Sequence, residues 1–64
     1  MIVCVTTIEN KTVYINLSNI VDIFVECNER YNTISYMCTS TETTLRVDDF
    51  NLDSFLEQVQ SFID

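Results

Sequence analysis

The stretch of sequence that decides the fold is Asn51-Leu-Asp-Ser-Phe-Leu-Glu-Gln-Val-Gln-Ser-Phe-Ile63. Its apolar residues recur at intervals of three and four, which is the spacing of one helical face. These residues are Leu52, Phe55, Leu56, Val59, Phe62 and Ile63. The chain before this stretch has the pattern of short strands, whose apolar face needs a cover. The sequence therefore predicts an α+β domain, in which an antiparallel meander sheet of four to five strands packs on one C-terminal helix (β-β-β-β-β-α).

The start of the predicted helix carries capping signals. Asn51 is a suitable N-cap, because its side chain can accept a hydrogen bond from a backbone N–H two or three residues later. Phe50 and Phe55 then occupy the two positions of a hydrophobic staple. Asp53 lies in the first turn, where the helix dipole favours an anion. Asp49 is the alternative cap, although that choice breaks the staple register.

The length of 64 residues predicts one small domain that spans residues 1–64. A chain of this size buries only about 60% of the surface that its unfolded form exposes. A second copy would add burial, so a homodimer is one expectation. The cysteines Cys4, Cys27 and Cys38 match no zinc or redox spacing. With no signal-peptide pattern, the expectation is reduced thiols in a cytoplasm.

The chain is strongly acidic. Ten Asp and Glu residues stand against three Lys and Arg, with no His, and the formal net charge is -7 at pH 7. Such a charge disfavours direct binding to DNA, RNA or an anionic membrane, because those surfaces attract basic patches. No apolar run approaches the length of a membrane span. The absence of glycine excludes a glycine-rich phosphate loop, which needs backbone free of Cβ beside the phosphate.

Five strands are predicted before the helix, at residues 1–8, 12–17, 20–27, 33–39 and 42–47. The first hairpin turns at Asn10-Lys11, where Asn10 is the residue best able to take a positive φ. With a two-residue loop, the predicted pairs are Ile8 with Val13 and Thr6 with Ile15. One face of this hairpin is apolar and is assigned to the core. Its members are Ile2, Cys4, Ile8, Val13, Ile15 and Leu17.

The second predicted hairpin has a loop at residues 28–31. Its two apolar faces agree only if the loop has an even number of residues, because side chains alternate between faces. The predicted pairs are Val25 with Ile34, Ile23 with Tyr36 and Val21 with Cys38. Cys27 and Cys38 then lie too far apart for a disulfide, which needs Cα atoms within about 7 Å. Ser40-Thr41 is predicted to centre the next turn, and Ser18-Asn19 to cap a brief helical turn.

The outer face of the predicted sheet is not fully polar. It carries Val3, Val5, Tyr14, Phe24 and Met37. Scattered exposed apolar residues are common and need no explanation. The alternative is that some of them form a patch that buries against a second copy or a target.

Residues suited to catalysis do not converge in the sequence. A nucleophilic Cys or Ser usually works beside a His, which is absent, and all three cysteines fall on the predicted core face. Asp22 and Glu26 flank Phe24 and would lie about 13 Å apart along a strand. That separation is too long for a pair of glycosidase carboxylates. The sequence predicts no enzyme and no cofactor.

An acidic group lies near the predicted helix start. Asp48, Asp49 and Asp53 either bind a divalent cation weakly or act as capping groups that complement the helix dipole. The second reading is favoured, and no metal is predicted.

An acidic stripe follows the helix, at Asp53, Glu57 and Asp64. No Lys or Arg lies between residues 47 and 64 to pair with it, whereas surface helices usually mix signs at i, i+4. One interpretation is solubility alone. The other is a surface that imitates a phosphate backbone and occupies a basic nucleic-acid channel.

The N-terminal half resembles the FlbD family of small flagellar regulatory proteins. The matching features are Met1-Ile2, a Val-Thr strand, the Asn10-Lys11 turn, and Tyr14-Ile15-Asn16-Leu17 running into Ile20 and Ile23. The resemblance implies the same β-rich topology with a terminal helix and a regulatory, non-enzymatic role. The turn glycines of that family are absent here.

These observations predict a small acidic interaction protein that binds and inhibits or regulates a larger partner. The specific version is a phage-type, nucleic-acid-mimicking inhibitor of a restriction or CRISPR system. The alternative is a FlbD-like module that acts through an apolar sheet face. The residues predicted to contact the partner are Asp22, Phe24, Glu26, Asp53, Glu57 and Asp64.

Overall fold

The computed structural model describes residues 1–63, and Asp64 lies outside them. The elements are β1 (Ile2–Thr6), β2 (Thr12–Asn16), a 3₁₀ turn (Leu17–Asn19), β3 (Ile20–Cys27), β4 (Asn32–Cys38), β5 (Thr41–Val47) and α1 (Asp49–Ile63). The α+β class and the antiparallel pairing are confirmed. The single meander is not, because the strands form two sheets, ordered β1-β2 and β3-β4-β5.

The register of the first hairpin differs from the prediction. Val3 lies opposite Ile15 and Val5 opposite Val13, so Val3 and Val5 enter the core and Ile2 faces solvent. The loop spans residues 7–11, and the N–H of Thr7 donates to the carbonyl of Lys11 at 2.8 Å. The predicted pairs Ile8 with Val13 and Thr6 with Ile15 are therefore wrong.

The apolar face assigned to this hairpin changes accordingly. Val13, Ile15 and Leu17 do pack in or against the core, whereas Ile8 is exposed and Cys4 only half-buried. The positive φ predicted for Asn10 is confirmed, at 65°. The brief helical turn also exists, but the side chain of Asn16 caps it by accepting from the N–H of Ser18 at 3.1 Å.

The second hairpin follows the prediction along most of its length. Val25 pairs with Ile34 and Ile23 with Tyr36 across the loop at residues 28–31. The pairing of Val21 with Cys38 is wrong, because a β-bulge places Ile20 opposite Cys38 and leaves Val21 as an extra residue.

The third hairpin turns one residue earlier than predicted. Cys38 pairs with Thr41, so the loop is Thr39-Ser40 rather than Ser40-Thr41. Thr39 has a positive φ of 57°, which is unusual for a β-branched residue.

The helix begins earlier than predicted, and its N-cap is Asp48. The Asp48 carboxylate accepts from the backbone N–H of Asn51 at 2.8 Å, and its carbonyl accepts the N–H of Leu52 at 2.9 Å. Both predicted caps, Asn51 and Asp49, are therefore wrong. Asp49 lies in the first turn and accepts at 2.8 Å from the side-chain amide of Asn32, which is buried.

The hydrophobic staple shifts with the cap. Relative to Asp48, the staple positions are Val47 and Leu52, and both belong to the core cluster. Phe50 is 79% exposed, so the predicted staple between Phe50 and Phe55 is wrong.

One core joins both sheets and the first half of the helix. Its members are Val3, Val5, Ile15, Leu17, Ile34, Val47, Leu52 and Phe55. Among the strands, the helix packs most closely on β1. There the side chain of Gln58 forms two hydrogen bonds with the backbone of Cys4.

All three cysteines are free in the structure. Cys4 and Cys38 are half-buried, but Cys27 is exposed, because it ends β3 beside the loop at residues 28–31. The core position predicted for Cys27 is therefore wrong. No helix within residues 1–63 is long and apolar enough to cross a membrane.

Candidate functional site

An apolar groove separates the helix from β3. The helix is fixed to β1 on one flank by Gln58, and its opposite flank stands away from β3. The groove between them has a volume of about 400 Å³ and is open to solvent. Asp22 is the single charged residue among those described that line it. The walls of the groove include Val21, Ile23 and Val25 from β3, and Leu56, Val59 and Ile63 from the helix.

The groove explains why part of the predicted helical face is not core. Leu52 and Phe55 are buried and Val59 packs against the core, as the periodicity predicts. Leu56 is 44% exposed and Ile63 is 70% exposed, and Phe62 is also exposed. These side chains lie on the second half of the helix and line the groove.

The wall of the groove formed by β3 is an open sheet edge. β3 pairs with β4 on one side, and no strand within residues 1–63 pairs with its other side. The N–H of Asn28 donates to the carbonyl of Tyr31 at 3.1 Å, so Asn28 and Tyr31 are a hydrogen-bonded pair of the ladder between β3 and β4. Because bonded and non-bonded pairs alternate in an antiparallel ladder, the peptide groups of Ile23 and Val25 point away from β4.

Three predicted contact residues lie on β3. Asp22, Phe24 and Glu26 are all exposed, and Phe24 is 65% exposed. They alternate with Ile23 and Val25, so Phe24 and Glu26 project from the face opposite the groove. Asp22 sits beside the bulge and accepts at 3.1 Å from the N–H of Ile23.

The outer apolar patch predicted from the sequence does not form as one unit. Val3 and Val5 are buried in the core, and Tyr14 is exposed on the other sheet. Phe24 and the half-buried Met37 remain together on the outer face of the three-stranded sheet, beside a shallow depression.

The helical acidic stripe is exposed where it is described. Asp53 and Glu57 lie one turn apart on the solvent side of α1, and Asp49 lies one turn before them. Glu57 follows Leu56 directly, so the stripe runs beside the groove wall. The third predicted member, Asp64, lies outside the described residues.

Basic side chains gather at the opposite end of the molecule. The guanidinium of Arg46 lies 5.6 Å from the ring centroid of Tyr31 and 4.0 Å from a carboxylate oxygen of Glu9. Arg46 thereby joins the loop at residues 28–31, which carries Arg30, to the loop at residues 7–11, which carries Lys11. These three residues are the whole Lys and Arg content of the chain. The helix start is also at this end, whereas the groove is formed by the second half of the helix.

No family model matches the chain, and no match is found among curated proteins or solved structures. The resemblance to the FlbD family therefore stays a prediction. Five of the six predicted contact residues are exposed, and the groove is a feature that the sequence did not predict. The available signal was Val21, an apolar residue next to Ile20 in a strand that otherwise alternates.

Proposed function

We propose that this chain is a small acidic, non-enzymatic interaction protein that binds a larger basic protein and inhibits or regulates it. The bound surface of the partner would be one that otherwise holds nucleic-acid phosphates. The observation that carries this proposal is the separation of charge. Asp53 and Glu57 are exposed on the helix and Asp22 lines the groove, whereas all three basic side chains, Lys11, Arg30 and Arg46, lie at the other end, together with Glu9, Glu29 and Asp49.

The spacing of the carboxylates limits what the helix can do alone. Residues four apart on a helix rise about 6 Å along its axis. One strand of duplex DNA carries a charge about every 3.4 Å. The described part of the stripe, Asp53 and Glu57, therefore has roughly half that charge density. The proposed mimicry consequently uses Asp22, at the edge of the groove, together with the stripe.

A protein with these properties belongs functionally with phage inhibitors of restriction or CRISPR enzymes. Those enzymes hold nucleic acid in basic channels, where Lys and Arg accept carboxylates in place of phosphates. Such targets work in the cytoplasm, which is where we place this protein.

The test uses the immobilised chain and a nuclease-treated bacterial extract, at low and at moderate salt. We expect a nucleic-acid-binding protein to be captured at low salt and to be released by added duplex DNA. Glu57→Lys should weaken capture. Glu29→Lys, at the basic end, makes the same change in net charge and should leave capture unchanged.

Two results would contradict the proposal. One is capture that DNA does not reverse and that salt does not weaken. The other is an equal loss of capture with Glu57→Lys and Glu29→Lys, since a general charge effect needs no acidic site.

The second candidate function is a FlbD-like regulatory module that acts through the outer sheet face. The observation that favours it is Phe24, which is 65% exposed in the middle of β3. In that case Phe24→Asp abolishes association with the partner, and Glu57→Lys leaves it unchanged.

A further inference from the structure

We propose that β3 and the groove beside it form a docking site for an extended segment of the partner, in which apolar and basic residues alternate. The segment would add to the open edge of β3 as a further antiparallel or parallel strand. This inference rests on the proposed function, because it names the part of the basic partner that enters the groove.

Backbone groups for such pairing are already in place. The peptide groups of Ile23 and Val25 point away from β4, toward the open edge. Adding a strand to an exposed edge gives affinity through main-chain hydrogen bonds and specificity through pockets for alternate side chains. The N–H of Ile23 donates to the Asp22 carboxylate at 3.1 Å. An incoming strand would have to displace this carboxylate before it could pair with Ile23.

Side chains of an added strand would alternate between two different surfaces. One set would point into the groove, against Val25 of β3 and against Leu56 and Ile63 of the helix. Apolar side chains fit this set, because Leu56 and Ile63 are left 44% and 70% exposed by the protein itself.

The other set would lie on the outer face, opposite Asp22, Phe24 and Glu26. Opposite charges that face each other across two strands stabilise the pair, and like charges destabilise it. Lys or Arg therefore suits the positions opposite Asp22 and Glu26.

A second copy of this chain is a poorer occupant of the edge. Antiparallel pairing of two β3 strands about Phe24 would set Asp22 of each copy opposite Glu26 of the other. It would also bring together two chains that each carry a net charge of -7. Charge complementarity thus selects a basic segment rather than self-association.

The experiment compares two heptapeptides of identical composition by NMR of the ¹⁵N-labelled chain. One peptide alternates, Lys-Val-Lys-Val-Lys-Val-Lys, and the other is blocked, Lys-Lys-Val-Val-Val-Lys-Lys. We expect the alternating peptide to bind at least about tenfold more tightly, because only its order satisfies both faces. Amide shifts should concentrate at residues 21–27 and 56–63, and the Val25 amide should gain protection from hydrogen exchange.

Two variants separate docking from general attraction. Val25→Pro removes the edge N–H at a position where an edge strand tolerates proline, and it should abolish the preference for the alternating peptide. If that variant does not fold, Asp22→Lys combined with Glu26→Lys, both exposed, should remove the same preference. Glu29→Lys is the control and should retain it.

Equal affinity for the two peptides would overturn the inference, as would shifts confined to the helical stripe at residues 49–57. A dimer in sedimentation experiments whose interface maps to β3 would also overturn it, in favour of a second copy. Any of these results, found together with a partner that DNA releases, would leave the proposed function standing without this docking mode.

Discussion

Gln58 on the helix pairs with the backbone of Cys4 on β1 through both ends of its side-chain amide. The Cys4 N–H donates to Oε1 of Gln58 at 2.9 Å, and Nε2 of Gln58 donates to the Cys4 carbonyl at 2.8 Å. The amide thus bonds as a neighbouring strand would, on the edge of β1 that faces away from β2. It covers an edge that would otherwise be open to pairing with another chain.

We expect Gln58→Met to destabilise the protein by about 1–3 kcal/mol, because it leaves both peptide groups of Cys4 without their partner. Methionine keeps the length of the side chain, so the loss reports the hydrogen bonds rather than a cavity. Urea unfolding measures the change. The matched control is Glu57→Met on the exposed side of the same turn, which should stay within about 0.5 kcal/mol. Equal midpoints for the two variants would show that the pairing contributes nothing.

Asp48→Ala should cost about 1 kcal/mol of unfolding free energy, because the N-cap that accepts from the Asn51 backbone is lost. Asn51→Ala should cost less, since it removes only a side-chain bond to Asp48 at 3.0 Å. Asp48→Asn keeps a capping oxygen and should recover most of the stability. Thermal unfolding of the three variants checks the order, and a larger loss from Asn51→Ala would contradict the assigned cap.

Phe55 and Phe50 should respond very differently to truncation. Phe55 is 1% exposed at the centre of the core, and Phe55→Ala should cost about 3–5 kcal/mol. Phe50→Ala should stay within about 0.5 kcal/mol, as expected for a surface site. Denaturant midpoints measure both. Since a loss of that size can unfold so small a domain, Phe55→Leu serves as the intermediate variant. Comparable losses at the two positions would contradict the burial of Phe55 and the exposure of Phe50.

Thr39→Gly should stabilise the third hairpin. A left-handed conformation costs an ordinary residue about 1–2 kcal/mol, and glycine costs about 0.5–1 kcal/mol more to order. The first figure exceeds the second, so a modest net gain is expected, less the bond from the Thr39 hydroxyl to the carbonyl of Cys38. Ser40→Gly is the control, because Ser40 has no positive φ to relieve. A midpoint for Thr39→Gly at or below that of the control would contradict the prediction.

The parts of the fold that the sequence predicted are those with redundant signals. The hairpin between β3 and β4 has clear alternation on both strands. A loop with an even number of residues is then enough to fix the partners of Val25 and Ile23. The helix has a long apolar period, and Leu52, Phe55 and Val59 pack as predicted.

The face of β1 was wrong because residues 2–5 are all apolar or cysteine, and a strand without alternation does not specify its register. The deciding feature is the length of the first loop, which has five residues rather than the two predicted. Thr7 turns inward and closes the loop with Lys11, which moves the first strand out of its predicted register. The cap was wrong for a related reason, since Asp48, Asp49 and Asn51 are all competent caps and only tertiary packing chooses among them.

The exposed carboxylates of the candidate site were predictable because charged residues on a small domain are rarely buried. The groove was not predictable, because its position depends on which strand the helix packs against. That choice is made by the Gln58 amide, which in the sequence is one polar residue among several on the helix.

The bulge at Val21 means that β3 has one residue, Val21, with no partner opposite it on β4. Ile20 and Asp22 pair with the adjacent residues Cys38 and Met37. Losing a residue inside a strand normally turns every following side chain to the wrong face. Loss of Val21 would instead leave Ile20 and Ile23 two positions apart, both still facing the core. A gene that lost this codon would thus encode the same fold with a groove that lacks the Val21 side chain, so chain length can vary here, inside a strand, as it usually does only in loops.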